Sequence, residues 1–348
     1  MQRALEVLRT FFFLGLTAFG GPAAHIAIFQ RLLVEERGWV NREDFRKLLG
    51  AVNLIPGPNS TEMTMLLGYT RAGGWGLVLG GLGFIVPAAL VTLLLVALYR
   101  DFAEVPLVQG AFLGFRLAVP ALIAQALMDL LPHPRHEPFT WIFALSALGL
   151  VALGLNEALV VLLVGLLALG ARRARVLAAE PFTLFLFFLK VGAVLFGSGY
   201  VLVAFLQETV ARGWLRPTEL LDAVALGQIT PGPLLTTATA VGYLASGVFG
   251  AALATVGIFL PSFIVSALLA RFLERVAGNP VAETFLKGAA GAALGLIAWA
   301  LWLLGREVLT GWLEAALVLL VLVLLRRKVP AMLLLGISAL GGAIWALA

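Results

Sequence analysis

The stretch Asn53-Leu54-Ile55-Pro56-Gly57-Pro58-Asn59-Ser60-Thr61-Glu62 has a counterpart in Gln228-Ile229-Thr230-Pro231-Gly232-Pro233-Leu234-Leu235-Thr236-Thr237. Each places Pro-Gly-Pro in the middle of an apolar run. Proline has no backbone donor and disfavours helix in the residue before it, so no helix passes unbroken through either triplet. At membrane depth such a break must face protein or a wet cavity, because lipid satisfies no backbone polar group. The break also starts a new helix, since proline suits the first helical position and Asn59 and Ser60 are good capping residues. That N-terminus offers N–H groups and the positive end of a helix dipole, a site for an anion. Two such breaks in matching halves point to the substrate site of a secondary transporter.

Working outward, the 348 residues are 61% hydrophobic and 12% charged, with a mean hydropathy of +1.02. A soluble domain carries about 25% charged residues, so a polytopic membrane protein is expected. There is no cysteine, which excludes disulfides and cysteine-ligated metals. Three histidines, His25, His133 and His136, leave little for a metal site, and no cofactor is expected. The net charge of +5 reads as loop orientation in a membrane rather than as nucleic-acid binding. The N-terminal run lacks the small-residue cleavage site of a signal peptide.

The chain is an internal duplication. Gly38-Trp39 matches Gly213-Trp214, Gly68-Tyr69 matches Gly242-Tyr243, Gly83 to Pro87 matches Gly257 to Pro261, and Phe19-Gly20-Gly21 matches Phe196-Gly197-Ser198, all in one order. The expected repeats are residues 1–175 and 176–348. Each begins with an apolar run interrupted by glycines (4–34 and 182–210), followed by an amphipathic segment and the Pro-Gly-Pro hairpin. Two long spans come next (74–99 and 107–130; 247–270 and 282–304), then two shorter ones (139–154 and 157–171; 310–325 and 330–347). With the Pro-Gly-Pro segment re-entrant, each repeat crosses five times. Fifteen loop Lys and Arg then fall on one side and six on the other. Four or six crossings would split the clusters at Arg172 and Arg326. The positive-inside rule therefore favours an all-α protein of ten spans, with both termini outside and the repeats inverted.

Within this frame Glu62 lies about one turn into the helix after the first break. An intramembrane carboxylate is a functional candidate by default, here for taking up and releasing protons; the alternative is a static acid bonded to nearby N–H groups. Its repeat partner is Thr237, so the role would be confined to one repeat. Asn53 and Gln228 match each other and can either donate to an oxyanion or tie the broken ends together. Ser60, Thr61, Thr230, Thr236 and Thr237 supply further hydroxyls. His25, just after the Gly20-Gly21-Pro22 break, is either a second proton-coupling residue or a structural hydrogen-bonder. Arg116 and Lys190 are cations inside apolar runs, paired either with a doubly charged substrate or with an internal acid. Lys287 follows Glu283 by four residues, the spacing of a structural ion pair. Gly197-Ser198-Gly199 is not a protease nucleophile, because Ser198 stands where the first repeat has Gly21.

These residues resemble the chromate ion transporter family in its long, two-repeat form. The resemblance rests on Phe19-Gly20-Gly21-Pro22-Ala23-Ala24-His25, Trp39, Pro56-Gly57-Pro58, Gly68-Tyr69 and Pro87 in the first half. In the second half it rests on Phe196-Gly197-Ser198-Gly199-Tyr200, Gly213-Trp214, Gln228 to Pro233, Val241-Gly242-Tyr243 and Pro261-Ser262-Phe263. It implies export of chromate, a tetrahedral oxyanion shaped like sulfate, across the cytoplasmic membrane, driven by the proton gradient. The implied site combines Asn53, Pro56, Gly57, Pro58, Asn59, Ser60 and Thr61 with Gln228, Thr230, Pro231, Gly232, Pro233 and Thr236, beside Gly20 and Gly21. A passive anion channel, or a carrier of sulfate or another oxyanion, would fit the same scaffold; an enzyme lacks a paired nucleophile and base. The sequence leaves a homodimer open.

Overall fold

Proline and glycine punctuate long apolar stretches, and the structure follows them. The computed structural model describes residues 2–52, 55, 57–130, 138–152, 181–195, 201–276 and 280–347, and among these there is no strand. The first repeat comprises α1 (Gln2–Thr17), α2 (Gly21–Phe29) continuing as a π-helix (Gln30–Glu36), α3 (Arg42–Val52), α4 (Asn59–Phe102), α5 (Pro106–Leu130) and α6 (Pro138–Ala152). The second comprises α7 (Pro181–Val194), α8 (Val201–Ala211), α9 (Pro217–Ile229), a 3₁₀ turn (Leu234–Thr236), α10 (Thr237–Val276), α11 (Pro280–Val308), α12 (Trp312–Arg326) and α13 (Ala331–Leu347). The expected span at 157–171, the Gly197-Ser198-Gly199 break, Asn53, Pro56, His133 and His136 lie outside the described residues, as do the side chains of Glu283 and Lys287.

The hairpins after the two Pro-Gly-Pro turns are built alike. In α4 the helix is interrupted at Ala72 (φ −143°, ψ 20°) and Gly73 (φ 62°, ψ −149°). The chain doubles back there, so that Gly76 lies on the backbone of Gly68 and Gly80 on that of Thr64. In α10 the same reversal falls at Gly247 (φ 65°), with Gly250 on the backbone of Gly242. At 1.5 Å per residue the first arm of α4 is about 20 Å long and the second about 43 Å. Among the described residues three stretches are long and apolar enough to cross a bilayer, Asn59–Phe102, Pro106–Met128 and Leu234–Arg271.

Each long arm then receives the first helix of its own repeat across a glycine. A β-carbon at Gly15 of α1 would stand 2.6 Å from the Phe84 carbonyl oxygen and 2.7 Å from Pro87 Cγ on α4. At Gly192 of α7 it would run into the backbone of Ile258 on α10. Beside each pair a tryptophan carries an arginine on its face. Arg71 lies 5.6 Å from the centre of the Trp39 ring and is held by Glu6 at 3.1 and 2.9 Å. Arg212 lies 5.0 Å from Trp214 and is held by Glu208.

The repeats are interleaved. α4 and α10 pack on each other at the centre, where Phe263 and Met65 close over Gly81. Helices toward the end of each repeat pack on the other repeat, α6 lying on α11 and α13 on α5. Small residues allow the second of these contacts: a β-carbon at Gly110 would be 2.9 Å from Ala343 Cα, and one at Gly114 2.9 Å from the Ala339 nitrogen. Such close backbone approach is how helices bind one another where lipid removes the hydrophobic drive. Gly15→Val should therefore abolish accumulation of folded protein. Gly149→Val, where an added β-carbon meets nothing within 4 Å, should leave it unchanged; membrane-fraction yield and melting temperature in detergent check both.

Candidate functional site

The first break separates α3, which ends at Val52, from α4, which begins at Asn59. Sequence reasoning placed Asn59 or Ser60 at the cap. In the structure Pro58 occupies that position in an extended conformation (φ −80°, ψ 102°), with no side-chain cap. The Pro58 carbonyl takes the N–H groups of Thr61 and Glu62 at 2.8 and 3.1 Å. Proline's fixed φ suits this boundary, so Asn59 and Ser60 fall inside the first turn. At the second break α9 ends at Ile229, Thr230 is extended, and a 3₁₀ turn over Leu234–Thr236 precedes α10.

The two breaks are tied to each other's repeat. Gly57 N–H donates to the carbonyl of Leu195, at the end of α7, at 2.6 Å; Gly232 N–H donates to the carbonyl of Ala18, at the end of α1, at 2.8 Å. Ala18 and Leu195 occupy equivalent places in the duplication, as do Gly57 and Gly232. Both glycines have positive φ, 139° and 87°, which other residues adopt at a cost of about 1–3 kcal/mol. The crossing brings the ends of the interrupted helices of both repeats together. Gly20 (φ 103°) and Gly21 (φ 76°) form the turn that follows Ala18.

Around the second break the hydroxyls are satisfied locally. Thr236 Oγ1 donates to Pro233 O at 2.9 Å, Thr237 Oγ1 to Leu234 O at 2.8 Å, and Thr230 to the carbonyl of Leu226. Around the first break they are not. Glu62 is fully buried, and neither carboxylate oxygen has a hydrogen-bond partner among the described residues. The hydroxyls of Thr61, Ser262 and Ser266 are buried and also lack partners, as does Nε2 of Gln228. An orphaned buried hydroxyl costs about 1–3 kcal/mol, and native proteins keep few of them. His25 is buried, with Nε2 3.1 Å from the Ala18 carbonyl and its ring edge-on to Phe84 at 5.4 Å. It thus shares the acceptor used by Gly232. Ser60 is buried and Asn59 half-buried.

The two intramembrane cations meet acids of the second repeat. Arg116 on α5 forms a two-pronged pair with Asp222 on α9, Nε and Nη2 each 2.6 Å from a carboxylate oxygen, and Tyr99 donates to the same carboxylate at 2.5 Å. Lys190 lies 3.2 Å from Glu208. Sequence reasoning passed over Asp222, Glu208, Ser262 and Ser266. Asp222 carried a readable signal, an acid in the apolar run Leu220-Leu221-Asp222-Ala223-Val224. Its counterpart Lys47 is exposed and paired with Glu43, because α9 is covered by neighbours along a length where α3 is not. The two serines carried none, since small hydroxyl residues are common in apolar helices.

Long apolar helices in duplicate, with paired breaks buried between them, define a multi-pass membrane protein. The chain belongs to the chromate transporter family, whose sequence pattern matches residues 5–170 and again 182–343. It is 36% identical to a chromate transport protein of Pseudomonas aeruginosa over 84% of this chain and 79% of that one. It is 30% identical to a probable chromate transport protein of Synechococcus elongatus over 98% and 95%. To a chromate transport protein of Cupriavidus metallidurans it is 29% identical over 92% and 88%. No solved structure matches it.

The Arg116–Asp222 pair gives a direct test of structural against substrate roles. Asp222 is fully buried while the Arg116 side chain is 26% exposed, so Arg116→Met alone strands a carboxylate at a cost of about 3 kcal/mol. The double variant Arg116→Met/Asp222→Leu should recover most of the melting temperature. Oxyanion binding that stays lost in the recovered double variant would assign Arg116 to substrate as well.

Proposed function

We propose that the protein is a secondary transporter that exports chromate, with sulfate the second candidate of the same shape and charge, across the cytoplasmic membrane in exchange for the proton gradient. The observation that carries this reading is the reciprocal bonding of the two Pro-Gly-Pro turns, with a set of unsatisfied buried polar groups at the first. The names of the Pseudomonas and Cupriavidus relatives support the substrate. In this reading residues 1–175 and 176–348 are inverted repeats of five crossings each. The first arms of α4 and α10 are re-entrant, because about 20 Å of helix falls short of a hydrocarbon core of about 30 Å.

A doubly charged oxyanion needs donors to replace its water. The N-terminus of α4, with Asn59, Ser60 and Thr61, offers N–H groups, hydroxyls and the positive end of a dipole. Asn53 and Gln228 add amide donors, and Thr230, Thr236 and the turns Pro56-Gly57-Pro58 and Pro231-Gly232-Pro233 shape the second wall. A hydrogen bond to a charged group is worth about 1.5–3 kcal/mol. Gln228→Ala and Asn53→Ala should each weaken chromate binding about ten- to a hundredfold, measured on purified protein. Unchanged affinity in both would leave the task to backbone amides and hydroxyls.

Coupling is assigned to Glu62, with His25 the second candidate. A carboxylate beside a dianion in a low-dielectric site is strongly repelled, so substrate enters readily when Glu62 carries a proton. Affinity therefore falls as pH rises through the range in which Glu62 ionises. Glu62→Gln should bind with little pH dependence and lose proton-driven transport. Sealed vesicles of known orientation, given chromate, sulfate or molybdate under an imposed pH gradient, test substrate and coupling together. A wild-type response to the gradient in Glu62→Gln would move the coupling role to His25.

A further inference from the structure

Glu62 is placed where an anion would be bound, and among the described residues nothing holds it there by hydrogen bonds. It is the fourth residue of α4, yet its side chain folds back over the Pro-Gly-Pro turn onto the helix's own N-terminus. A β-carbon at Gly57 would run into Glu62 Oε1, with Cδ 2.7 Å away and the hydroxyl of Ser262 2.8 Å away. Carboxylate and hydroxyl thus crowd the same face of this glycine. Ser262 comes from α10 of the other repeat, is fully buried and donates to no acceptor within the protein. Ser266, one turn further along α10, is in the same condition.

The duplicated half supplies the comparison. Ser262 corresponds to Ala88 and Glu62 to Thr237. At the second break a β-carbon on Gly232 would meet the Ala88 methyl at 2.5 Å, and Thr237 spends its hydroxyl on Leu234 O at 2.8 Å. Thr92, the counterpart of Ser266, spends its own on Ala88 O at 2.9 Å. One break is therefore sealed by a methyl group and by hydroxyls bonded to their own helices. The other carries a carboxylate and free hydroxyls in the same fold positions. A structural acid at a helix start would accept N–H groups; this one accepts none.

We propose that the Glu62 carboxylate is a tethered stand-in for the transported oxyanion: it occupies the substrate's own place between Gly57, Ser262 and the N-terminus of α4, and substrate enters only by displacing it. Ser262 and Ser266 then become hydroxyl donors to the substrate, supplied by the opposite repeat. A proton on Glu62 removes its attraction to the helix N-terminus and makes it easier to displace, so exchange of proton and oxyanion follows from competition for one position. Several titratable groups on the surrounding elements are held by other partners. His25 of α2 is held on Ala18 O, Glu6 of α1 on Arg71, Asp222 of α9 on Arg116, and Glu43 of α3 on Lys47.

This inference rests on the proposed oxyanion transport, and substitutions that separate charge from volume test it apart from that reading. Radiolabelled chromate binding at fixed pH is compared in wild type, Glu62→Gln and Glu62→Ala, each checked for an intact melting transition. Glutamine removes the charge but still fills the place; alanine vacates it. Displacement predicts that Glu62→Ala binds chromate at least tenfold more tightly than Glu62→Gln, and that acetate competes with chromate in Glu62→Ala. Adding Ser262→Ala to Glu62→Ala should then cost about tenfold. Should Glu62→Ala not accumulate, Glu62→Ser replaces it with the same expectation. Equal or weaker binding in the alanine variant than in the glutamine variant overturns the stand-in role and leaves proton-coupled transport in place. Absence of chromate and sulfate binding in the wild-type protein would overturn both.

Discussion

Two backbone hydrogen bonds hold the centre of this molecule, Gly57 N–H to Leu195 O and Gly232 N–H to Ala18 O. Both join a Pro-Gly-Pro turn of one repeat to the interrupted first helix of the other. In hydrocarbon an unpaired backbone group costs several kcal/mol, so a break that leaves an orphaned donor must find an acceptor elsewhere in the protein. The opposite repeat supplies the acceptor, which makes each break dependent on the other half of the chain. The packing of α6 and α13 on the opposite repeat reinforces that dependence along the flanks.

The equivalence of the repeats is structural and not chemical. The same glycines permit the same close approaches, Gly15 on Phe84 and Gly192 on Ile258, Gly68 on Gly76 and Gly242 on Gly250. The polar groups diverge at the places where these elements meet. Thr237, Thr92 and Ala88 close one break, while Glu62, Ser266 and Ser262 leave the other unsatisfied.

The charged residues divide in the same way. Arg116 and Lys190, which composition alone marks as candidate partners for a dianion, lie against Asp222 and Glu208. Arg116 sits in the first repeat and Asp222 in the second, so the pair also fixes α5 against α9 next to the second break. With both cations engaged, the α4 N-terminus and neutral hydroxyls are what the first break offers a negative charge. Neutral dipoles can bind a dianion and still release it, whereas a fixed cation in a low-dielectric site would bind it far more tightly.

The sequence by itself determined the helical membrane class, the duplication and the positions of the Pro-Gly-Pro breaks. These follow from proline chemistry, glycine spacing and apolar run length, which act over a few residues. Glu62 was equally legible, since a carboxyl in an apolar run stands out whatever surrounds it. The tertiary structure alone decided which repeat satisfies which break, that Arg116 meets Asp222 across 106 positions of chain, and that Ser262 of α10 stands beside Gly57. It also decided that Pro58, rather than Asn59 or Ser60, takes the cap position of α4. The physical reason is common to these cases. A donor or charge inside the bilayer must be matched, but the partner is chosen by which backbones can approach closely, and that is fixed by contacts between helices far apart in the chain.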